Sequence, residues 1–74
     1  MEDRLRAIMG DMLGIGIDEV NSETAFEQTP SWDSLAHINL VSALEAEFDV
    51  TFSIQEIEAM LTYDDVLATV SAKL

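Results

Sequence analysis

The residues best suited to chemistry lie in the middle of the chain, in the stretch Pro-Ser-Trp-Asp-Ser-Leu-Ala-His of residues 30–37. Asp33, Ser34 and His37 are the residue types of a catalytic triad, and on a helix Ser34 and His37 would share a face. An esterase serine also needs a shaped pocket and an oxyanion hole. The chain has no Gly-x-Ser-x-Gly sequence, and its 74 residues leave little space for a pocket. Without that sequence or space for a pocket, we do not expect a serine hydrolase, although the three residue types are present.

Two other interpretations of Ser34 stay open on the residues alone. Aspartate is a favoured N-cap, so we expect Asp33 to cap a helix whose first turn contains Ser34. The backbone N–H groups of that turn lack intrahelical acceptors and lie at the positive end of the helix dipole. A phosphate ester on Ser34 would suit this position. Ser34 could equally be an ordinary first-turn serine, with His37 a partly exposed neighbour.

Metal chemistry is not expected from this sequence. Residues 18–29 form an acidic stretch of EF-hand length, but Val20 and Glu23 occupy positions that need a ligand and a glycine. The chain has no cysteine, which excludes thiolate metal sites, disulfides and thiol redox chemistry. We therefore predict no metal site.

The spacing of apolar residues predicts four helices that would position these groups. Residues 2–13 and 34–48 both show helical periodicity. Residues 53–56 and 62–65 match the capping-box pattern, and they would begin a short third helix and a fourth helix. No stretch combines strand-like alternation with turn signals. The sequence predicts one all-α domain over 1–74, a four-helix bundle with a long loop between its first two helices.

Apolar residues of the loop and helices supply the predicted core. Leu35 and Ile38 should widen the apolar arc of the second helix. Trp32 could pack onto Phe26 or contact whatever Ser34 carries. Residues 14–33 have no sustained period, and four apolar side chains are expected to dock this loop: Ile15, Ile17, Val20 and Phe26. The bundle interior should be lined by Val41, Leu44, Phe48, Phe52, Ile57, Met60, Leu67 and Val70.

The acidic balance of the chain limits its partners. Fifteen Asp and Glu against three Lys and Arg give a formal net charge of −12. Such a protein would be repelled by nucleic acid and anionic membranes, whereas basic protein partners would be attracted. No signal peptide or membrane-spanning run is found, so we expect a cytoplasmic protein, and the start at Met1 favours a free-standing one. A non-modified acidic module that binds a basic partner stays an alternative.

The chain resembles an acyl carrier protein over nearly its whole length. The resemblance depends on Asp33-Ser34-Leu35 after a long loop and on Leu44-Glu45-x-Glu47-Phe48-Asp49 at the end of the second helix. It implies that Ser34 carries 4'-phosphopantetheine, added from coenzyme A by a phosphopantetheinyl transferase with magnesium. The arm's thiol would hold acyl or aminoacyl groups as thioesters. It also implies a carrier rather than an enzyme.

The same resemblance implies a partner-binding face. Asp33 and Leu35, as neighbours of the attachment serine, are expected to matter for recognition by the transferase and by partner enzymes. Basic patches on loading and processing enzymes should meet an acidic face at the end of the second helix and on the third. That face comprises Glu45, Asp49, Glu56 and Glu58. The carrier is expected to be a monomer.

Departures from the fatty-acid carrier pattern bear on the pathway. Ala36, His37 and Asn39 stand where fatty-acid carriers have acidic residues, and Trp32 stands where they often have small ones. We therefore expect a role in polyketide or related secondary metabolism. A peptidyl, D-alanyl or fatty-acid carrier stays open within the family.

Overall fold

The computed structural model describes residues 2–74, which form a helical bundle. Within these residues, the sole extended pairing is an isolated antiparallel bridge between Ala25 and Thr62. A short 3₁₀ turn that the sequence did not predict lies in the long loop, at Ile17–Glu19. The four helices are α1 (Glu2–Leu13), α2 (Ser34–Phe48), α3 (Ile54–Ala59) and α4 (Tyr63–Lys73). The predicted all-α four-helix bundle is confirmed.

The connections that lead into α3 and α4 end in the predicted N-cap residues, Ser53 and Thr62. The Ser53 hydroxyl accepts from the Glu56 amide (3.1 Å), and the Glu56 carboxylate accepts from the Ser53 amide (2.8 Å). At the predicted second capping box, Thr62 accepts from the Asp65 amide at 3.1 Å, and this forward bond is the only half of the box that forms. Each such cap stabilises a helix by about 1 kcal/mol, a useful contribution for the six residues of α3.

Backbone hydrogen bonds hold the long loop against the connection between α3 and α4. The Phe26 amide donates to the Leu61 carbonyl (2.7 Å), and the Tyr63 amide donates to the Thr24 carbonyl (3.0 Å). These bonds flank the isolated bridge and join the loop to the connection between α3 and α4. The Thr24 side chain is buried beneath them. The loop before α2 is therefore an ordered part of the fold.

Most of the predicted core is confirmed. Six of its eight residues are buried, whereas Ile57 and Leu67 are half-buried and pack against the others. Trp32 also belongs to this core, with no exposed surface. The largest fully buried side chains are Trp32, Leu5, Met9, Leu13, Leu40, Leu44, Met60, Val66 and Val70.

Three apolar residues predicted to face inward are instead exposed. Leu35 is 69% exposed and Ile38 is 61% exposed, so they do not widen the buried face of α2. Ile17, in the 3₁₀ turn, is also exposed and does not dock the loop. Helix α2 has apolar residues on more than one face, so spacing alone does not identify the buried one. Its buried residues are His37, Leu40, Val41, Leu44 and Phe48.

Every lysine and arginine of the chain pairs within the bundle. Each contacts at least one carboxylate and lies over an aromatic ring, at 5.2 to 5.9 Å from the ring centre. Exposed ion pairs stabilise a fold by only about 0.2–1 kcal/mol each. The larger effect of these pairs is that they neutralise the three basic side chains. With all three cations paired, the remaining carboxylates set the surface potential. The groups are Arg4 with Glu47 and Phe48, Arg6 with Glu2, Asp3 and Tyr63, and Lys73 with Glu56 and Phe52.

Candidate functional site

Ser34 is the first residue of α2, and its neighbour Asp33 caps the helix. The Asp33 carboxylate accepts from the Ala36 amide at 2.9 Å, as the sequence predicted. The Asp33 carbonyl accepts from the His37 amide, also at 2.9 Å, as the first bond of the helix. Because Asp33 fills the capping role, the exposed hydroxyl of Ser34 is available for other chemistry.

The surroundings of Ser34 fit a phosphodiester. The first-turn N–H groups of a helix need acceptors from outside its own ladder, and they carry partial positive charge. Helix α2 is 15 residues long, and no Asp or Glu lies in its first turn. A phosphate on the Ser34 oxygen would therefore lie beside first-turn N–H groups that Asp33 does not occupy, and the single neighbouring carboxylate, that of Asp33, is bonded to the Ala36 amide.

His37 does not serve Ser34 as a base. Only 8% of its surface is exposed, and both ring nitrogens are bonded elsewhere. Nδ1 accepts from Nε1 of Trp32 (3.0 Å), and Nε2 lies 2.8 Å from the carbonyl oxygen of Ile57. The prediction that His37 is partly exposed is therefore wrong. Two internal hydrogen bonds replace its contacts with water, which makes burial of the polar ring tolerable.

Trp32 packs into the core rather than standing beside the serine. Its ring is fully buried and meets Phe26 edge-on, with ring centres 6.4 Å apart. It also stacks on His37, with ring centres 6.0 Å apart. The packing interpretation of Trp32 is confirmed.

Leu35 and Ile38 give the surface beside Ser34 an apolar character. Both side chains are more than half exposed. They follow Ser34 by one and four residues on α2, so all three lie on adjoining parts of the helix surface. A large exposed apolar side chain is costly to leave in water, and two together are typical of a contact surface.

The four predicted partner-face carboxylates have unequal surroundings. Asp49 and Glu58 are exposed. Glu45 is half-buried, and its carboxylate accepts from the Phe52 amide at 3.0 Å. Glu56 takes part in the α3 cap and pairs with Lys73 at 3.0 Å. Glu45 and Glu56 thus also hold the bundle together.

The pKa of Glu56 reflects these internal bonds. The backbone hydrogen bond from Ser53 and the hydrogen bond from Lys73 hold the pKa of this carboxyl below its ordinary value of 4.5. Both interactions favour the ionised form. Glu56 therefore stays charged at neutral pH.

Sequence reasoning missed the chain of side-chain bonds through Trp32, His37 and Ile57. A spacing of five residues between Trp32 and His37 is no recognised motif, and the Ile57 group is a backbone carbonyl. Only the packing of α3 against α2 brings that carbonyl to the ring.

Within residues 2–74, no three His, Asp or Glu side chains are grouped as a metal site. In the same range, no helix has the length and apolar character to cross a bilayer.

Comparison with known proteins covers almost the whole bundle. The family model described as "Phosphopantetheine attachment site" matches residues 3–70, a range that includes Ser34 and all of α2. An acyl carrier protein of Chlamydia felis (strain Fe/C-56) is 33% identical over 73 residues. That alignment covers 99% of this chain and 94% of the relative.

Proposed function

Since the chain belongs to the acyl carrier protein family, whose prosthetic group is a covalent 4'-phosphopantetheine, we propose that Ser34 is its attachment residue. When bound, the group supplies a thiol that holds acyl groups as thioesters. The chain is then a substrate of other enzymes and not itself a catalyst. Asp33 and Leu35 are the adjoining residues that a phosphopantetheinyl transferase would read.

The observation that carries this proposal is that Asp33 caps helix α2, so the Ser34 hydroxyl is not needed for the cap. Asp33 accepts the capping bond, so a modification of the Ser34 oxygen leaves the helix cap in place. Ser53, by contrast, is itself the N-cap of α3, and its hydroxyl is engaged in that cap. Ser34 is thus suited to a covalent arm in a way that Ser53 is not.

Intact mass spectrometry tests the attachment directly. The chain is incubated with coenzyme A, magnesium and a broad-specificity phosphopantetheinyl transferase, and the modified peptide is then sequenced. We expect one phosphopantetheine increment, located on Ser34 and retained in Ser53→Ala. A folded chain that gains no mass would contradict the proposal and favour an unmodified module that binds a basic partner.

For the cargo, we propose polyketide or related secondary metabolism. The support is the neutral start of α2, where Ala36 and Asn39 carry no charge and Ile38 is exposed. Partner enzymes that read this region need an apolar contact more than a basic one. The test is the mass of the acyl group on the chain purified from its native source. A series of saturated fatty acyl groups would contradict this assignment.

A further inference from the structure

The partners of His37 fix the hydrogen-bonding roles of its two ring nitrogens. The indole N–H of Trp32 can only donate, so Nδ1 of His37 must accept (3.0 Å). The Ile57 carbonyl can only accept, so the hydrogen of the neutral ring lies on Nε2 (2.8 Å). We call this pair of hydrogen bonds the Trp32–His37–Ile57 relay. It joins the end of the long loop, the second turn of α2 and the backbone of α3.

The relay encloses the turn that carries Ser34. Residues 33–36 lie between Trp32 and His37 in the chain, and those two side chains are bonded to each other. Across the same turn, the Asp33 carbonyl accepts from the His37 amide and the Asp33 carboxylate from the Ala36 amide. The backbone around Ser34 is thus closed by three hydrogen bonds, while its hydroxyl stays exposed.

The outer end of the relay is itself anchored. The Trp32 amide donates to the Thr29 carbonyl (2.9 Å), and the Trp32 carbonyl accepts from the Glu27 amide (3.0 Å). The indole is fully buried against Phe26. Loss of either relay partner would leave a buried polar group unpaired, which is more costly than losing an exposed bond. The turn has little freedom to move while the relay is intact.

We propose that Trp32 and His37 are positioning residues for the attachment of phosphopantetheine. They do not touch the transferred group. By closing the turn and tying it to α3, they fix where the Ser34 hydroxyl stands relative to both helices that a transferase can contact. The inference rests on Ser34 being the attachment residue, and it adds two buried side chains that control the rate of attachment. Transfer to one oxygen is sensitive to its placement, because small displacements of a reacting group are costly in rate.

The first experiment compares His37→Ala with His37→Gln in the transferase reaction. Alanine removes both relay bonds, whereas the glutamine amide offers one acceptor and one donor in a similar place. For His37→Ala we expect kcat to fall about tenfold while the KM for coenzyme A stays unchanged, the pattern of lost alignment rather than lost cofactor binding. His37→Gln should recover kcat to within about threefold of the parent. Ser42→Ala, an exposed change further along the same helix, should react like the parent.

A stability control separates positioning from general loosening. Val70→Ala removes a fully buried side chain from α4 and leaves the relay intact. All variants are assayed at a temperature where circular dichroism shows them folded. Val70→Ala should be loaded at the parent rate even if its melting temperature falls as far as that of His37→Ala. Should His37→Ala not fold, Trp32→Phe takes its place, since it removes the indole donor but keeps an aromatic ring in the core.

Amide hydrogen exchange gives a readout that does not depend on loading. The Ala36 amide is bonded to Asp33 across the Ser34 turn, so its exchange reports on the closure of that turn. We expect faster exchange at Ala36 in His37→Ala and near-parent exchange in His37→Gln. A folded His37→Ala that is loaded at the parent rate would overturn the inference. If the parent itself is never loaded, the proposed function fails, and unchanged Ala36 exchange would overturn the positioning claim as well.

Discussion

The carboxylate of Asp33, and not the hydroxyl of Ser34, accepts the hydrogen bond that caps the start of helix α2. Ser34→Ala should therefore abolish phosphopantetheine loading and change the free energy of unfolding by no more than about 0.5 kcal/mol. Asp33→Ala is the matched control and should cost about 1 kcal/mol, because it removes the cap. Intact mass and urea unfolding check both outcomes. A large loss of stability in Ser34→Ala would show that this serine is structural.

Phe48 closes the last turn of α2 against the core, with only 9% of its surface exposed. Phe48→Ala should lower the free energy of unfolding by about 3–5 kcal/mol, through lost burial and the cavity left behind. Ile38→Ala, on the exposed face of the same helix, should change it far less. Urea denaturation of both variants would measure the contrast. Equal stabilities would contradict the burial assigned to α2.

Glu56 makes the stability of the bundle depend on acid. Its pKa is held below 4.5 in the folded state, chiefly by the Ser53 amide and Lys73. The folded state therefore favours the ionised carboxyl, so its contribution is complete above pH 4.5 and is lost as the pH falls through the lowered value. Unfolding of the parent and Glu56→Gln should differ most near neutral pH and converge in acid. A difference that stays constant down to pH 3 would refute the assignment.

Glu58 tests the electrostatic part of partner recognition. It is exposed on α3, whereas reversing Glu45 or Glu56 would also break bonds within the bundle. Glu58→Lys should slow transfer by a partner with a basic patch, mainly through the encounter rate, and leave the melting temperature nearly unchanged. The gap from the parent should narrow as salt is added. Rates that match the parent at every salt concentration would remove Glu58 from the partner face.

Gly10 allows the end of α1 to turn back closely. A Cβ at this position would lie 2.9 Å from the Ile15 carbonyl oxygen, too close for an ordinary contact. Alanine usually stabilises a helix relative to glycine by about 1 kcal/mol. Gly10→Ala should nevertheless lower the melting temperature, because backbone must move to admit the methyl group. Thermal unfolding measures whether the melting temperature of Gly10→Ala falls or rises. A raised melting temperature would show that the turn after α1 admits the methyl group without cost.

Features that depend on neighbouring residues could be predicted from the sequence, whereas features that depend on packing could not. The caps at Asp33, Ser53 and Thr62 are local, and all three are confirmed. The burial of His37 depends on a carbonyl 20 residues further along the chain, so no local pattern indicates it. The exposure of Leu35 follows from the way α2 is turned in the bundle, which its mixed apolar pattern does not fix.

Trp32 also gives the chain an optical reporter. It is the sole tryptophan of the sequence and lies two residues before Ser34, buried and stacked on an imidazole. Its emission should therefore be blue-shifted, and a movement of the Ser34 turn that exposes the indole to water should shift that emission to longer wavelength. Any step that opens this turn can therefore be followed by the fluorescence of the unlabelled protein.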